Sequence, residues 1–253
     1  RGLGDVYKRQ EYGPNAYPSL LYNAMVNPLV GLSMRGVIWY QGENNTNRAK
    51  EYYHLFPAMI NDWRKKWGKD FPFYWVQLAN YMDAVEVPSE SLWAQVREAQ
   101  TQTLSLSHTG QAVIIDIGEA KDIHPKNKQE VGRRLALHAL HNDYGFSDVV
   151  CESPMPKTVR RVQDKIAVQF DNVADGLIVK NKYGYLMSFA VAGNDGVYKW
   201  VQAKVAGKDR VVLSCPDVID PVSVRYAWGD NPDDANLYNS VGLPATPFEI
   251  KIE

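Results

Sequence analysis

The chain has 253 residues, of which 45% are hydrophobic, so it is long enough to bury the core of one large domain or two smaller ones. Its 28 basic and 29 acidic residues are mixed along the sequence and give a formal net charge of −1, which argues against a surface for nucleic acid or anionic membranes. No stretch approaches the roughly 18 apolar residues of a membrane-spanning helix. We therefore expect a small or neutral molecule as the partner.

The first ten residues, 1–10, have no convincing period and look like translated adaptor sequence. We exclude them from the fold. On this interpretation the chain is a fragment without its natural beginning, and the lack of a leader says nothing about export.

From residue 17 onward, helical and strand patterns alternate. Apolar residues recur at helical spacing in four segments, 17–30, 46–68, 92–106 and 128–144. Continuous apolar runs predict three strands, 37–40, 71–79 and 111–117. Pro57 should kink or restart the second helix, while Asn127 and Glu130 resemble a capping box at the start of the last. This order predicts an α/β fold with a parallel sheet and right-handed crossovers.

After residue 149 the pattern changes. Pro154 and Pro156 mark a boundary, and the remainder reads as short strands separated by turns. The predicted strands are 165–170, 186–191, 199–205, 210–214 and 222–226, with a surface loop at 171–176. The sequence thus predicts an α/β domain over 11–149 and a smaller antiparallel β region over 150–253. Cys151 and Cys215 lack the spacing of a metal or redox site and are either two buried thiols or one bridge.

Two segments combine apolar runs with polar endings. In residues 36–43, GVIWYQGE, the non-alternating run 37–40 predicts a strand covered on both faces, with Gln41 and Glu43 at its carboxyl end, where open α/β sheets bind ligands. The second segment, 122–125, DIHP, follows another apolar run and precedes a helix. His124 lies before a proline in a strand-to-helix loop, a location that presents side chains to ligands.

Together these segments resemble two blocks of the SGNH-type carbohydrate esterases, specifically the sialate O-acetylesterase family. The resemblance rests on WYQGE at 39–43 and DIHPKNKQ at 122–129 and extends over nearly all of the chain after residue 15. It implies a flavodoxin-like α/β/α fold lacking its first strand, action on O-acetylated sugars, a periplasmic or extracellular location, and no metal or organic cofactor.

The resemblance also implies roles for individual residues. His124 would act as general base and acid, and Asp122 would orient it, although one residue separates them where the wider pattern has two, so Asp116 or Glu119 could take that role. Gln41 would donate its amide to the oxyanion, within an oxyanion and substrate-binding segment that also includes Gly42 and Glu43. His54, His108, His138 and His141 are expected to be structural or solvated.

The nucleophile is the missing component. The family carries its serine in an early Gly-Gln-Ser block, and this chain contains no such block. Ser33 lies in a superficially similar segment but in the wrong order along the chain. We therefore expect this chain to fold poorly alone and to lack esterase turnover.

Three alternatives to a sialate esterase stay open. They are an esterase for acetylated plant polysaccharide such as xylan, a non-catalytic carbohydrate-binding protein with a degenerate esterase fold, and, more remotely, a metal-dependent hydrolase.

Overall fold

The computed structural model describes residues 17–253, so the prediction for residues 1–10 lies outside the described part. The predicted first helix is short and irregular: a π-helix spans Tyr22–Val26 and a 3-10 turn spans Asn27–Leu29. Ser19, just before this segment, has a positive φ of 69°. Across residues 17–253, no helix is both long and apolar enough to cross a lipid bilayer.

The predicted parallel sheet is confirmed. Strands β1 (Val37–Trp39), β2 (Phe73–Val76) and β3 (Thr109–Ala112) lie side by side in the order β1-β2-β3, and both pairings are parallel. The third strand was predicted at 111–117 but begins earlier and ends at Ala112. Because all three strands run the same way, the segments that leave β1 and β3 emerge at the same edge of the sheet.

In the described part of the chain, three α-helices flank the sheet. They are α1 (Ala49–Trp67), α2 (Leu92–Gln102) and α3 (Lys128–Asp143). A 3-10 helix, Glu43–Arg48, leads into α1, and α1 continues through Pro57 without the predicted restart. At the start of α3, the Asn127 side chain accepts the backbone N–H of Glu130 at 3.2 Å, as the capping pattern predicted.

Alternate residues of β2 face opposite helical layers, which explains why its sequence shows no polar alternation. Phe73 and Trp75 pack with Phe56 of α1 and the rest of one apolar cluster. Tyr74 and Val76 face the other way and pack with the apolar side chains of α3. The central strand is therefore buried on both faces.

Strand β1 differs from this expectation. It pairs only with β2 within the described chain, and Ile38 at its centre is 71% exposed. The prediction that this strand is covered on both faces is wrong for residues 17–253: Val37 and Trp39 pack on the apolar cluster with Phe56, whereas nothing in the described chain covers Ile38 on the opposite face.

The remainder forms antiparallel sheets. One has the order β4-β5-β10-β9, a second β13-β11-β7-β8, and a two-stranded ladder joins β12 and β6. The strands are β4 (Met155–Val162), β5 (Lys165–Asp171), β6 (Leu177–Val179), β7 (Phe189–Ala192), β8 (Tyr198–Trp200), β9 (Gln202–Val205), β10 (Arg210–Ser214), β11 (Ser223–Tyr226), β12 (Leu237–Asn239) and β13 (Phe248–Lys251). These sheets enclose an apolar core that includes Phe170, Phe189 and Tyr226. Both cysteines are buried free thiols, so the bridge left open by the sequence is not formed.

A fully buried arginine joins the parallel sheet to the β region. Arg97 of α2 donates to the carbonyls of Leu78 and Ala79, just after β2, at 2.8 and 2.7 Å. It also donates to the carbonyls of Gly229 and Asp230 at 2.6 and 3.0 Å. Burial lowers the pKa of Arg97 to about 9, with the Asp230 charge opposing the shift, so the guanidinium is charged at neutral pH.

Candidate active site

The two motif segments meet at the carboxyl edge of the parallel sheet. Residues 40–44 leave β1 there, and residues 123–125 belong to the connection between β3 and α3. Together they line a cavity of about 350 Å³, with walls formed by Tyr40, Gln41, Glu43, Asn44, Ile123, His124, Pro125 and Lys128. Side chains separated by about 80 positions in the sequence therefore face one space.

His124 and Asp122 form a loose pair on one side of this cavity. Nδ1 of His124 lies 3.7 Å from Oδ1 of Asp122, and the same oxygen accepts the backbone N–H of His124 at 2.9 Å. The imidazole is 86% exposed. The carboxylate thus fixes the backbone of the histidine, while the ring is free to adjust, as is common for acid-base pairs before substrate binds.

The two alternative carboxylates are engaged elsewhere. Asp116 makes a bidentate ion pair with buried Arg134, with distances of 2.6 and 2.9 Å, and also accepts the Tyr238 hydroxyl at 3.3 Å. Glu119 pairs with Lys126 at 2.8 Å. Asp122 is therefore the carboxylate of these three that contacts His124.

The Gln41 side chain is held at both ends. Its amide nitrogen donates to Oδ1 of Asn45 at 2.7 Å, and its amide oxygen accepts the Tyr52 hydroxyl at 3.2 Å. The backbone carbonyl of Gln41 accepts from Gln100 at 3.3 Å. An amide nitrogen carries two hydrogens, so one donor remains for a ligand after the bond to Asn45 is made.

Gly42 makes the turn that aims this side chain. Its φ of 150° lies in the region that L side chains rarely adopt, and a Cβ at this position would lie 3.2 Å from Leu78 and 3.3 Å from Gln100. A side chain at this position would therefore strain the turn and crowd these two neighbours. The next residue, Glu43, begins the 3-10 helix and lines the cavity.

The sequence did not single out four residues that build this site. Asn45 and Tyr52 fix Gln41, whereas Tyr40 and Lys128 line the cavity, with Nζ of Lys128 4.8 Å from the centre of the Tyr40 ring. Burial, followed by the Glu43 charge, raises the pKa of Tyr40, and its buried hydroxyl has no hydrogen-bond partner in the structure. Tyr40 and Lys128 lie within the two motif blocks and Asn45 lies just after the first, but nothing in the sequence indicated their roles.

Ser33 does not reach the cavity. It lies in the exposed link before β1, at the end of the strand opposite to Gln41. No serine is present among the cavity-lining residues of the described chain. Within residues 17–253, no group of three or more His, Cys, Asp or Glu side chains is arranged to hold a metal ion.

Comparisons with known proteins agree with the resemblance. A family described as carbohydrate esterase, sialic acid-specific acetylesterase, matches residues 7–141. The sialate O-acetylesterases of Mus musculus and Homo sapiens are 30% and 31% identical over 95% and 93% of this chain, but over only 48% and 49% of their own lengths.

A crystal structure of a carbohydrate acetylesterase from Xanthomonas citri is also similar. It superimposes with a TM-score of 0.87 at 44% identity over 93% of this chain and 55% of that one. The present chain thus spans about half the length of these relatives. Because the match to the family covers residues 7–141, more than half of the chain, the chain belongs to the sialic acid-specific acetylesterase family of carbohydrate esterases.

Proposed function

We propose that this chain carries the acid-base and oxyanion groups of a carbohydrate O-acetylesterase. The observation that carries the proposal is the shared cavity, in which a fixed amide, Gln41, and a histidine with a carboxylate partner, His124 with Asp122, face one another from two neighbouring segments. Acyl transfer needs these two functions close together: a donor to the developing oxyanion and a base for the nucleophile.

In the proposed reaction, a serine hydroxyl attacks the acetyl carbonyl while His124 removes its proton. Asp122 stabilises the imidazolium, and the free N–H of Gln41 donates to the negatively charged oxygen of the tetrahedral intermediate. The bond between the acetyl carbon and the sugar oxygen then breaks, and His124 gives the proton to that oxygen, so that the sugar leaves with a free hydroxyl. Water hydrolyses the acetyl-serine in the same way and releases acetate.

The serine must reach the cavity from a segment other than its described walls. We propose a further strand beside β1, which completes a flavodoxin-like sheet and ends near Gln41. Two features support this: β1 has only one partner strand within residues 17–253, and the outward side chain of Ile38 is exposed there. An exposed apolar edge strand is unfavourable unless another element covers it.

The proposed substrate is an O-acetylated sugar, with O-acetyl sialic acid the first choice because of the family to which the chain belongs. An acetylated plant polysaccharide is the alternative within the same chemistry. A non-catalytic carbohydrate-binding protein is the second candidate function, and it is favoured by the lack of serine in the described cavity wall.

Acetate release by the protein expressed from the whole source gene tests the proposal. We expect hydrolysis of O-acetyl sialic acid, and loss of at least about 100-fold in kcat for His124→Ala. His108→Ala is the matched control, because His108 also pairs with a carboxylate, Asp70 at 3.0 Å, but lies before β3 at the opposite end of the sheet.

The two candidate functions predict different results. Binding of the acetylated sugar without hydrolysis by the whole gene product would favour the binding protein. Acetate release that survives His124→Ala would refute the role of this histidine. For the 253-residue chain by itself we expect no appreciable turnover, since a base and an oxyanion donor without a nucleophile give only weak catalysis.

A further inference from the structure

Two adjacent cavities lie in the β region, away from the candidate active site. The first has a volume of about 310 Å³ and the second about 660 Å³, both within the range of about 300–1,000 Å³ typical of ligand sites. They share three lining residues, Leu186, Met187 and Val201. They are therefore adjacent, and we call the pair the β-region groove.

The first cavity presents an aromatic surface beside carboxylates. Trp200 is 42% exposed, and its indole nitrogen donates to the carbonyl of Glu86 at 2.9 Å, which fixes the ring against the loop before α2. Trp228 lines the same cavity and is 6% exposed, and its buried indole N–H has no hydrogen-bond partner in the structure. The exposed residues Asp233 and Asp234 complete the wall. A flat ring next to hydroxyl acceptors suits the face of a neutral pyranose.

The second cavity has the opposite charge. Lys165 and Lys204 line it from β5 and β9, the two strands that flank β10. Both lysines are exposed, whereas their neighbours in the sequence, Ile166 and Ala203, belong to the apolar core. Tyr185, which is 67% exposed, lines the same cavity. Two ammonium groups beside an exposed aromatic ring suit a sugar that carries a carboxylate.

We propose that the β-region groove binds an acidic oligosaccharide, with the carboxylate-bearing sugar in the lysine-lined cavity and a neutral pyranose against Trp200. The charges determine this orientation: the aspartates of the first cavity repel a carboxylate, and the lysines of the second attract it. The proposal deepens the esterase function and rests on it for the class of ligand.

A chain of contacts connects the groove to the candidate active site. Asn231, which lines the first cavity, donates to the carbonyl of Met82 at 2.8 Å, and the Met82 N–H donates to the carbonyl of Ala120 at 3.0 Å. Ala120 belongs to the same connection as Asp122 and His124. A glycan in the groove is thus held by the loop that also braces the acid-base segment.

Binding of 3′-sialyllactose and of lactose to the protein expressed from the whole source gene, followed by NMR or calorimetry, tests the proposal. We expect sialyllactose to bind more tightly than lactose. Trp200→Ala should weaken both ligands by about ten-fold, since an aromatic contact is worth roughly that factor. The pair Lys165→Gln with Lys204→Gln should weaken sialyllactose alone.

Tyr183→Ala and Lys208→Gln are the matched controls, because both are exposed side chains that line neither cavity. Circular dichroism establishes that each variant is folded. Equal losses in variants and controls, or no binding by the folded chain at millimolar ligand, would overturn the proposal.

The same titration with His124→Ala separates this proposal from the esterase function. Unchanged binding by this variant is expected, because the groove does not include His124. Groove binding without any acetate release by the whole gene product would defeat the esterase alone. Acetate release without glycan binding in the groove would refute the groove proposal and leave the esterase function unaffected.

Discussion

Histidine 138 should make the stability of this protein strongly dependent on pH. It lies in α3, and its ring stacks on Tyr74 with centroids 5.5 Å apart. Nε2 lies 3.1 Å from the carbonyl oxygen of Gln111, so this nitrogen carries the hydrogen. Nδ1 faces Gly110, where even a Cβ would come within 2.5 Å. Burial lowers the pKa of His138 to about 4, and His141 adds to the shift.

The direction of the effect follows from the two pKa values. In the unfolded state the His138 imidazole binds a proton near pH 6.5, whereas in the folded state it does so only near pH 4. Between these values the unfolded state binds more protons, so stability is fully present above about pH 6.5 and is lost as pH falls toward 4. For His138 alone, the free energy of unfolding should fall by about 2 kcal/mol between pH 8 and pH 5.

Urea denaturation of the wild type and of His138→Gln at pH 8 and pH 5 measures this contribution. Glutamine keeps an N–H donor for the Gln111 carbonyl but does not titrate, so the variant should lose about 2 kcal/mol less than the wild type over this range. His54→Gln removes an exposed histidine of α1 and should behave as the wild type does. The same pH dependence in all three proteins would refute the reasoning.

Two further perturbations probe the candidate site and its support. In the protein expressed from the whole source gene, Gln41→Ala should lower kcat by about 100-fold and leave KM nearly unchanged, as steady-state kinetics would show; a change in KM alone would contradict its role as an oxyanion donor. Arg134→Met removes the cation that pairs with Asp116, whose side chain is only 11% exposed. The unpaired carboxylate should lower the free energy of unfolding by about 3–5 kcal/mol in urea titrations. Adding Asp116→Asn should recover part of that loss. A double variant no more stable than Arg134→Met would show that the unpaired Asp116 carboxylate is not the cause of the loss.

Periodicity predicted the α/β half of the described chain well, because each helix has one apolar face and the central strand has two. The cap at Asn127 could be identified because its signal is local. The exposure of Ile38 could not, since an apolar run does not reveal how many neighbours a strand will have. Pro57 shows a second limit: α1 continues through it despite the strong local signal for a break.

In the β region, local patterns located strands but not their partners. The run 199–205 was predicted as one strand, yet the chain changes sheets at Val201, so that β8 pairs with β7 and β9 with β10. Strand β4 was missed because Pro156 suggested a boundary, whereas the proline sits at a register shift in the ladder with β5. Such features depend on contacts between residues distant in the sequence.

For the site, the motif blocks identified residues whose chemistry is distinctive, His124 and Gln41, and the cavity brings them together. Asp122, and not Asp116, contacts His124, because Asp116 is paired with Arg134. No local sequence pattern reveals that ion pair. Asn45 escaped notice because its role is to hold Gln41.

Arg97 donates to two carbonyls on each side of residue 149. The sequence pattern changes near that residue, but we do not expect the two parts of the chain to be stable independently. Removing the β region would take away the carbonyls of Gly229 and Asp230, which are two of the four acceptors of Arg97, and would expose the surface of the α/β part that the β region covers. In the protein expressed from the whole source gene, we therefore expect the α/β layers not to survive truncation near residue 149 and both parts to melt in a single cooperative transition. An evolutionary exchange of the β region would have to supply equivalent acceptors.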